Sequence, residues 1–202
     1  MAQPQQACSL VVSKLRYPQP QTIIVKEWGD SFKVSLGSNT VLQVQRRGVL
    51  GGFTDFGKQL KELYWGNTKL LTITHDRAWI GRPTISIKKT TGLEGDDGTI
   101  IMKAKPGRAM WLGRRKMTVK LTPPGGEPAK VTLKTRVFNS AKGRIVNTAS
   151  NQVLATIERK RLSLKEMLAN QQTYTVIVQP YVDMAVVSAM VVCFDEFFYE
   201  GK

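Results

Sequence analysis

Two basic triplets, Arg114-Arg115-Lys116 and Arg159-Lys160-Arg161, are the residues of this chain best suited to chemistry with a ligand. Arginine grips phosphate oxygens bidentately and lysine adds a point charge, the mixture that a multiply phosphorylated headgroup or an anionic membrane surface would meet. Arg46-Arg47 is a third, weaker cluster, and Trp111 precedes the first triplet closely enough to sit at an interface or in a core. Both triplets fall in residues 101–170, which hold 16 bases and 3 acids, against 13 and 8 in residues 1–100 and 1 and 4 in residues 171–202. The whole chain has 30 Lys+Arg and 15 Asp+Glu, a formal charge of +15, which favours polyanionic partners. The same bases have a plainer role available to them: solvating the outer face of a β domain and guarding its edge strands.

Catalytic and metal chemistries find little support. His75 adjoins Asp76, but neighbours on a strand point to opposite faces, so they cannot act as base and orienter. The segment 48–52, Gly-Val-Leu-Gly-Gly, lacks the dinucleotide fingerprint and the P-loop lysine, and reads as a turn. Asp96-Asp97-Gly98 reads as a hairpin turn rather than a calcium loop, and Asp195, Glu196 and Glu200 lack the loop spacing of a calcium site. One histidine and two distant cysteines, Cys8 and Cys193, cannot form a zinc shell, and no disulfide is expected between them. The expectation is a protein without catalytic residues, metal or cofactor. The N-terminus has no basic stretch before its apolar residues, Ala2 stands where myristoylation needs glycine, and the C-terminus lacks a prenylation cysteine. A cytoplasmic protein is expected, peripheral at a membrane or nuclear, and monomeric.

The elements that must hold the bases are strands. The chain is 202 residues long and 42% hydrophobic, enough for one domain with a sizeable core. Period-two alternation predicts strands over 22–28, 32–36, 40–45, 70–75, 84–88, 99–103, 117–121, 130–138, 144–147, 152–158 and 173–178, separated by Gly, Asn, Asp and Pro turn signals. That makes roughly eleven or twelve strands with no linker and no repeat. Leu162, Lys165-Glu166 and Leu168 predict a short surface helix over 162–169. Residues 1–14 read as a flexible arm ahead of one domain over 15–202.

From Asp183 the chain runs Met184-Ala185-Val186-Val187-Ser188-Ala189-Met190-Val191-Val192-Cys193-Phe194 before Asp195-Glu196. Alanine and methionine favour helix, Asp183 can cap it after Pro180, and the segment is apolar on every side rather than along one stripe. Eleven helical residues span about 17 Å, short of the ~30 Å hydrocarbon core of a bilayer. A helix ~10–12 Å across does not fit an eight-stranded barrel, but cans of about eleven strands hold one. A helix over about 183–198, with Met184, Val186, Val187, Met190, Val191 and Phe194 as its buried residues, is therefore expected inside a large closed barrel.

Glu158-Arg159-Lys160, the alternating strand after it, Gln179-Pro180-Tyr181-Val182-Asp183, the apolar run and the closing Asp195-Glu196 resemble the C-terminal signature of the LURP-one-related family, within the tubby C-terminal-like superfamily. His75-Asp76-Arg77-Ala78-Trp79-Ile80 is similar to that family's mid-chain His-Asp-Arg-Trp stretch, with Ala78 inserted. The resemblance covers most of residues 15–198; the segment 162–169 looks like an insertion, and the loop 123–128 departs from the family pattern. It implies a mainly β fold, a roughly twelve-stranded closed barrel enclosing a hydrophobic C-terminal helix. It brings no catalytic residue. It implies a binding module, since tubby-like domains bind phosphoinositides through basic barrel residues and scramblase-like relatives act at membranes. Plant members are linked to pathogen defence, so a protein-interaction scaffold in defence or stress signalling is the second expectation. Nucleic-acid binding is third, because no helix-turn-helix, zinc finger or aromatic RNA-binding strand accompanies the charge.

Overall fold

Short turns between alternating segments dictate a meander, and the computed structural model of the chain shows it carried to closure. The structure describes residues 15–29, 31–46, 58–76, 83–90, 98–107, 114–122, 128–136, 142–159 and 172–198. Twelve strands follow one another: β1 (Gln21–Trp28), β2 (Ser31–Leu36), β3 (Asn39–Arg46), β4 (Lys58–Trp65), β5 (Thr68–Asp76), β6 (Thr84–Lys89), β7 (Thr99–Pro106), β8 (Arg114–Leu121), β9 (Ala129–Arg136), β10 (Lys142–Asn147), β11 (Val153–Arg159) and β12 (Thr173–Val178). Each pairs antiparallel with its sequence neighbours, and β12 closes on β1 through Gln21 opposite Val178 to Lys26 opposite Thr173. Two-residue connections join β2 to β3 and β4 to β5, where Gly37 (φ 59°) and Gly66 (φ 55°) take the left-handed backbone such turns need.

Alternation sends one side chain in two inward. Ile23 and Val25 of β1, Phe32 and Val34 of β2, Ile85 and Ile87 of β6, and Leu133 of β9 are all buried. Into this lumen runs α1 (Met184–Phe198), and Met184, Val186, Val187, Met190, Val191 and Phe194 are buried together with the alanines, Val192 and Cys193 between them. The helix is apolar on every side because the barrel wall surrounds it. It comes nearest to β7 and β8, where Ala104 contributes a short inward side chain. Seven side chains of its apolar run Met184–Phe194 are Val, Met or Phe, and their burial contributes at most roughly 10–20 kcal/mol at ~1.5–3 kcal/mol each. Asp183 caps the helix as expected: its Oδ1 accepts from the Ala185 N–H at 2.8 Å and the Val186 N–H at 3.4 Å. No helix among the described residues is long and apolar enough to cross a membrane.

One strand is absent from the sequence reading. β4 carries Lys61 and Leu63 inward and a bulge between Leu63 and Tyr64, so its pattern mixes charge into the buried phase and then changes phase. Of the strand expected over 130–138, residues 130–136 lie in β9 and residues 137–138 lie outside the described residues. The arm 1–14, the turn 48–52, residues 96–97, Trp111, residues 123–127, the helix 162–169, Lys160 and Arg161 lie outside the described residues.

Candidate polyanion-binding wall

Strands β7 to β10 contain eleven Lys or Arg residues and no acid. Pairing register sorts their outward bases into rows. Lys103 on β7 stands opposite Lys120 on β8, which stands opposite Lys130 on β9. Lys116 on β8 stands opposite Lys134 on β9, which stands opposite Arg144 on β10. All six are exposed. Directly paired residues sit about 4.5–5.5 Å apart at Cα, so each row packs three positive charges within the width of three strands. The rows are four residues apart along β8, about 13 Å. Between them lie Lys105, opposite Thr118, and Thr132, whose Oγ1 is 3.2 Å from Thr148 Oγ1. At the β10–β11 border the wall meets an acid, where the Lys142 Nζ lies 3.3 Å from Glu158 Oε1 with both side chains well exposed.

The first triplet named from sequence and Arg159 of the second reach the same end of the barrel. Arg114, Arg115 and Lys116 open β8, and Arg159 closes β11; β9 and β10 lie between them. Lys116 belongs to one of the rows, Arg159 is half-buried, and Lys160 and Arg161 lie outside the described residues. Arg46 is exposed at the end of β3, and Arg47 lies outside the described residues. The row residues Lys103, Lys120, Lys130, Lys134 and Arg144 were not singled out by sequence, although each lies in the polar phase of an alternating segment. What sequence does not show is which strand faces which, and register alone turns scattered lysines into rows. Edge protection does not account for them, because a closed barrel has no edge strand.

The second cluster of charge is inside. Lys61 of β4 is ion-paired with Glu196 of α1, each side chain only 3% exposed, and the Lys61 ammonium lies 5.1 Å from the centre of the Phe32 ring. His75 turns toward the helix, its Nδ1 3.9 Å from Glu196 Oε2 and its ring edge-to-face with Phe197 at 5.8 Å. The Tyr174 hydroxyl donates to Asp195 Oδ1. Asp195 and Glu196 thus anchor the last turns of α1 to β12 and β4, and they do so where a helix C-terminus otherwise disfavours acids. Cys193 lies in the same turn, and burial pushes its thiol pKa up to about 12, against a smaller opposing influence from Lys61. These groups are packed between helix and wall, which suits a structural role. Among the described residues, no group of three or more His, Cys, Asp or Glu is arranged to hold a metal ion.

Comparison with known proteins agrees with this architecture. An X-ray structure of a protein from Arabidopsis thaliana superposes with a TM-score of 0.58 at 16% identity, covering 93% of this chain and 96% of that one, a likeness that speaks for the fold. No curated protein matches the chain. The family model for LURP-one-related proteins matches residues 21–195, from the first residue of β1 into the last turns of α1. The chain belongs to the LURP-one-related family.

Proposed function

We propose that this protein is a non-enzymatic binding module that recognises anionic lipid headgroups, phosphoinositides among them, through the outward bases of β7 to β10. The observation that carries the reading is the pair of cross-strand rows, Lys103–Lys120–Lys130 and Lys116–Lys134–Arg144, on strands without a single acid. Like charges placed directly opposite each other destabilise a sheet, and an anionic surface laid against them removes that repulsion. A lysine-rich wall gives point charge to several phosphates at once, and Arg144 adds one bidentate donor.

The test is sedimentation with vesicles of phosphatidylcholine, with and without phosphatidylserine and a phosphoinositide, run beside duplex DNA at matched ionic strength. The parent should bind the anionic vesicles at low salt and less well at 0.15 M, where the Debye length is ~8 Å. Replacing all six row residues by Gln should weaken binding more than about a hundredfold, since each base near an anionic surface is worth up to ~1 kcal/mol. Thermal stability should hold or rise, because the substitutions remove repulsion. A parent that ignores anionic vesicles at low salt, prefers DNA to them, or binds no better than the Gln variant would overturn the reading.

A further inference from the structure

Between the two rows the wall changes character. On β8 and β9 the residue pair between them is Thr118 opposite Thr132. Lys116 precedes Thr118 by two residues and Lys120 follows it by two; Lys130 and Lys134 flank Thr132 in the same way. Because Lys116 stands opposite Lys134 and Lys120 opposite Lys130, four lysines mark the corners of a rectangle with two threonines at its centre. The rectangle measures about 5 Å across the strands and about 13 Å along them, which puts each corner Cα about 7 Å from the threonine on its own strand. Lys105 of β7 stands opposite Thr118 and adds a fifth ammonium on that flank. The five lysines are exposed, whereas Thr118 is half-buried and Thr132 is 5% exposed although it lies in the outward phase of β9. The result is a low hydroxyl floor between taller cationic side chains, on strands that hold no acid.

The five ammoniums repel one another, and an anion of more than one charge is needed to draw several of them over the floor together. A phosphomonoester has about −1.5 to −2 charge at pH 7 and three strong acceptor oxygens, whereas a carboxylate has a single charge. Lysine stems are flexible, so ammoniums of both rows can lean inward from opposite sides. The floor supplies hydrogen bonds as well: Thr132 Oγ1 and Thr148 Oγ1 lie 3.2 Å apart, and whichever hydroxyl accepts in that contact keeps its own hydrogen to donate. We propose that the rectangle is a phosphomonoester site, with one phosphate dianion seated over Thr118 and Thr132 and held by lysines of both rows. The proposal rests on the anionic-lipid reading above and names the group within the headgroup that the wall selects. A wall that only summed charge would not distinguish a phosphoinositide from phosphatidylserine at equal surface charge.

Vesicles of phosphatidylcholine with either phosphatidylserine or a phosphatidylinositol bisphosphate, matched in zeta potential, separate the two at 0.15 M salt. The parent should bind the phosphoinositide vesicles about tenfold or more tightly than the phosphatidylserine ones. Thr118→Leu raises the floor without altering charge, so it should cut that preference to within about twofold and leave phosphatidylserine binding as it was. Lys120→Gln removes a corner, whereas Lys103→Gln removes its neighbour in the same row, outside the rectangle. Lys120→Gln should lower phosphoinositide binding about fivefold and phosphatidylserine binding less, while Lys103→Gln should lower both alike. Thermal melts near the parent's establish that each variant is folded. Soluble inositol trisphosphate, added against the phosphoinositide vesicles, distinguishes the sources of the phosphate. Displacement shows that the site takes the phosphate in solution, and retention beside a Thr118→Leu effect shows that it takes the phosphate from a bilayer. Equal binding to the two vesicle types, a Thr118→Leu variant that keeps the preference, or equal effects of Lys120→Gln and Lys103→Gln would overturn the phosphomonoester site and leave the anionic-membrane reading standing. A parent that binds neither vesicle even at low salt would overturn both.

Discussion

Lys61→Met should destabilise the protein by about 3–5 kcal/mol, because it strands the Glu196 carboxylate between α1 and the wall. The magnitude follows from burial: both side chains of the pair are 3% exposed, which places them with buried ion pairs rather than surface ones. Part of the loss, about 0.5–2 kcal/mol, is the attraction between the Lys61 ammonium and the Phe32 ring face, 5.1 Å away at its centre. Glu196→Met should cost a similar amount by leaving the ammonium without its carboxylate. The double variant Lys61→Met/Glu196→Met should recover most of the loss, since two apolar side chains of similar length replace two desolvated charges; a coupling of about 3 kcal/mol or more is expected. Urea unfolding followed by far-UV circular dichroism at pH 7 gives all four corners of the cycle. The exposed pair Lys142–Glu158, with side chains 70% and 58% exposed, serves as the control and should couple by less than about 1 kcal/mol. Additive losses at Lys61 and Glu196, or a Lys61→Met cost as small as the control's, would refute the claim that this pair fastens the helix to the barrel.

Two further perturbations probe the same interior. Val187→Asp should abolish folding, because Val187 is 1% exposed among apolar neighbours and a carboxylate there has neither water nor partner; a cooperative melt near the parent's temperature would contradict the enclosed helix. Cys193 keeps its proton in the folded state up to about pH 12, whereas the unfolded thiol loses it near 9.0. Between those values the folded state binds the extra proton, so stability falls as pH rises, by about 1.4 kcal/mol per pH unit for one group. Relative to Cys193→Ala, the parent should therefore lose stability progressively in urea titrations above pH 9, and parallel pH profiles would show that the thiol does not contribute.

Legibility in the sequence followed the range of the interaction that decides each feature. The helix could be read because its cause is local: an unbroken apolar run, Asp183 before it and Pro180 ahead of that, all within twenty residues. Eleven strands could be read for the same reason. β4 could not, because Lys61 in its inward phase makes sense only beside Glu196, 135 positions later in the chain, and the bulge after Leu63 shifts the alternation. The triplets stood out as consecutive bases, a local signal. The rows did not, since Lys120 and Lys130 become neighbours only through the hairpin register of β8 and β9.

The wall and the lumen are connected by their energetics. Within the two rows, four like-charged pairs stand directly opposite each other, Lys103–Lys120, Lys120–Lys130, Lys116–Lys134 and Lys134–Arg144. At a few tenths to about 1 kcal/mol each, they oppose folding by roughly 1–4 kcal/mol at low salt. Closure removes the edge strands that lysines would guard, and acids on alternate strands would solvate the surface as well without repulsion. The barrel can sustain it because its stability is built inside, where burial of the α1 side chains outweighs the strain on the wall. On the reading proposed above, an anionic surface laid against the rows removes that repulsion. That is why the rows, more than the overall charge of +15, carry the argument for an anionic partner.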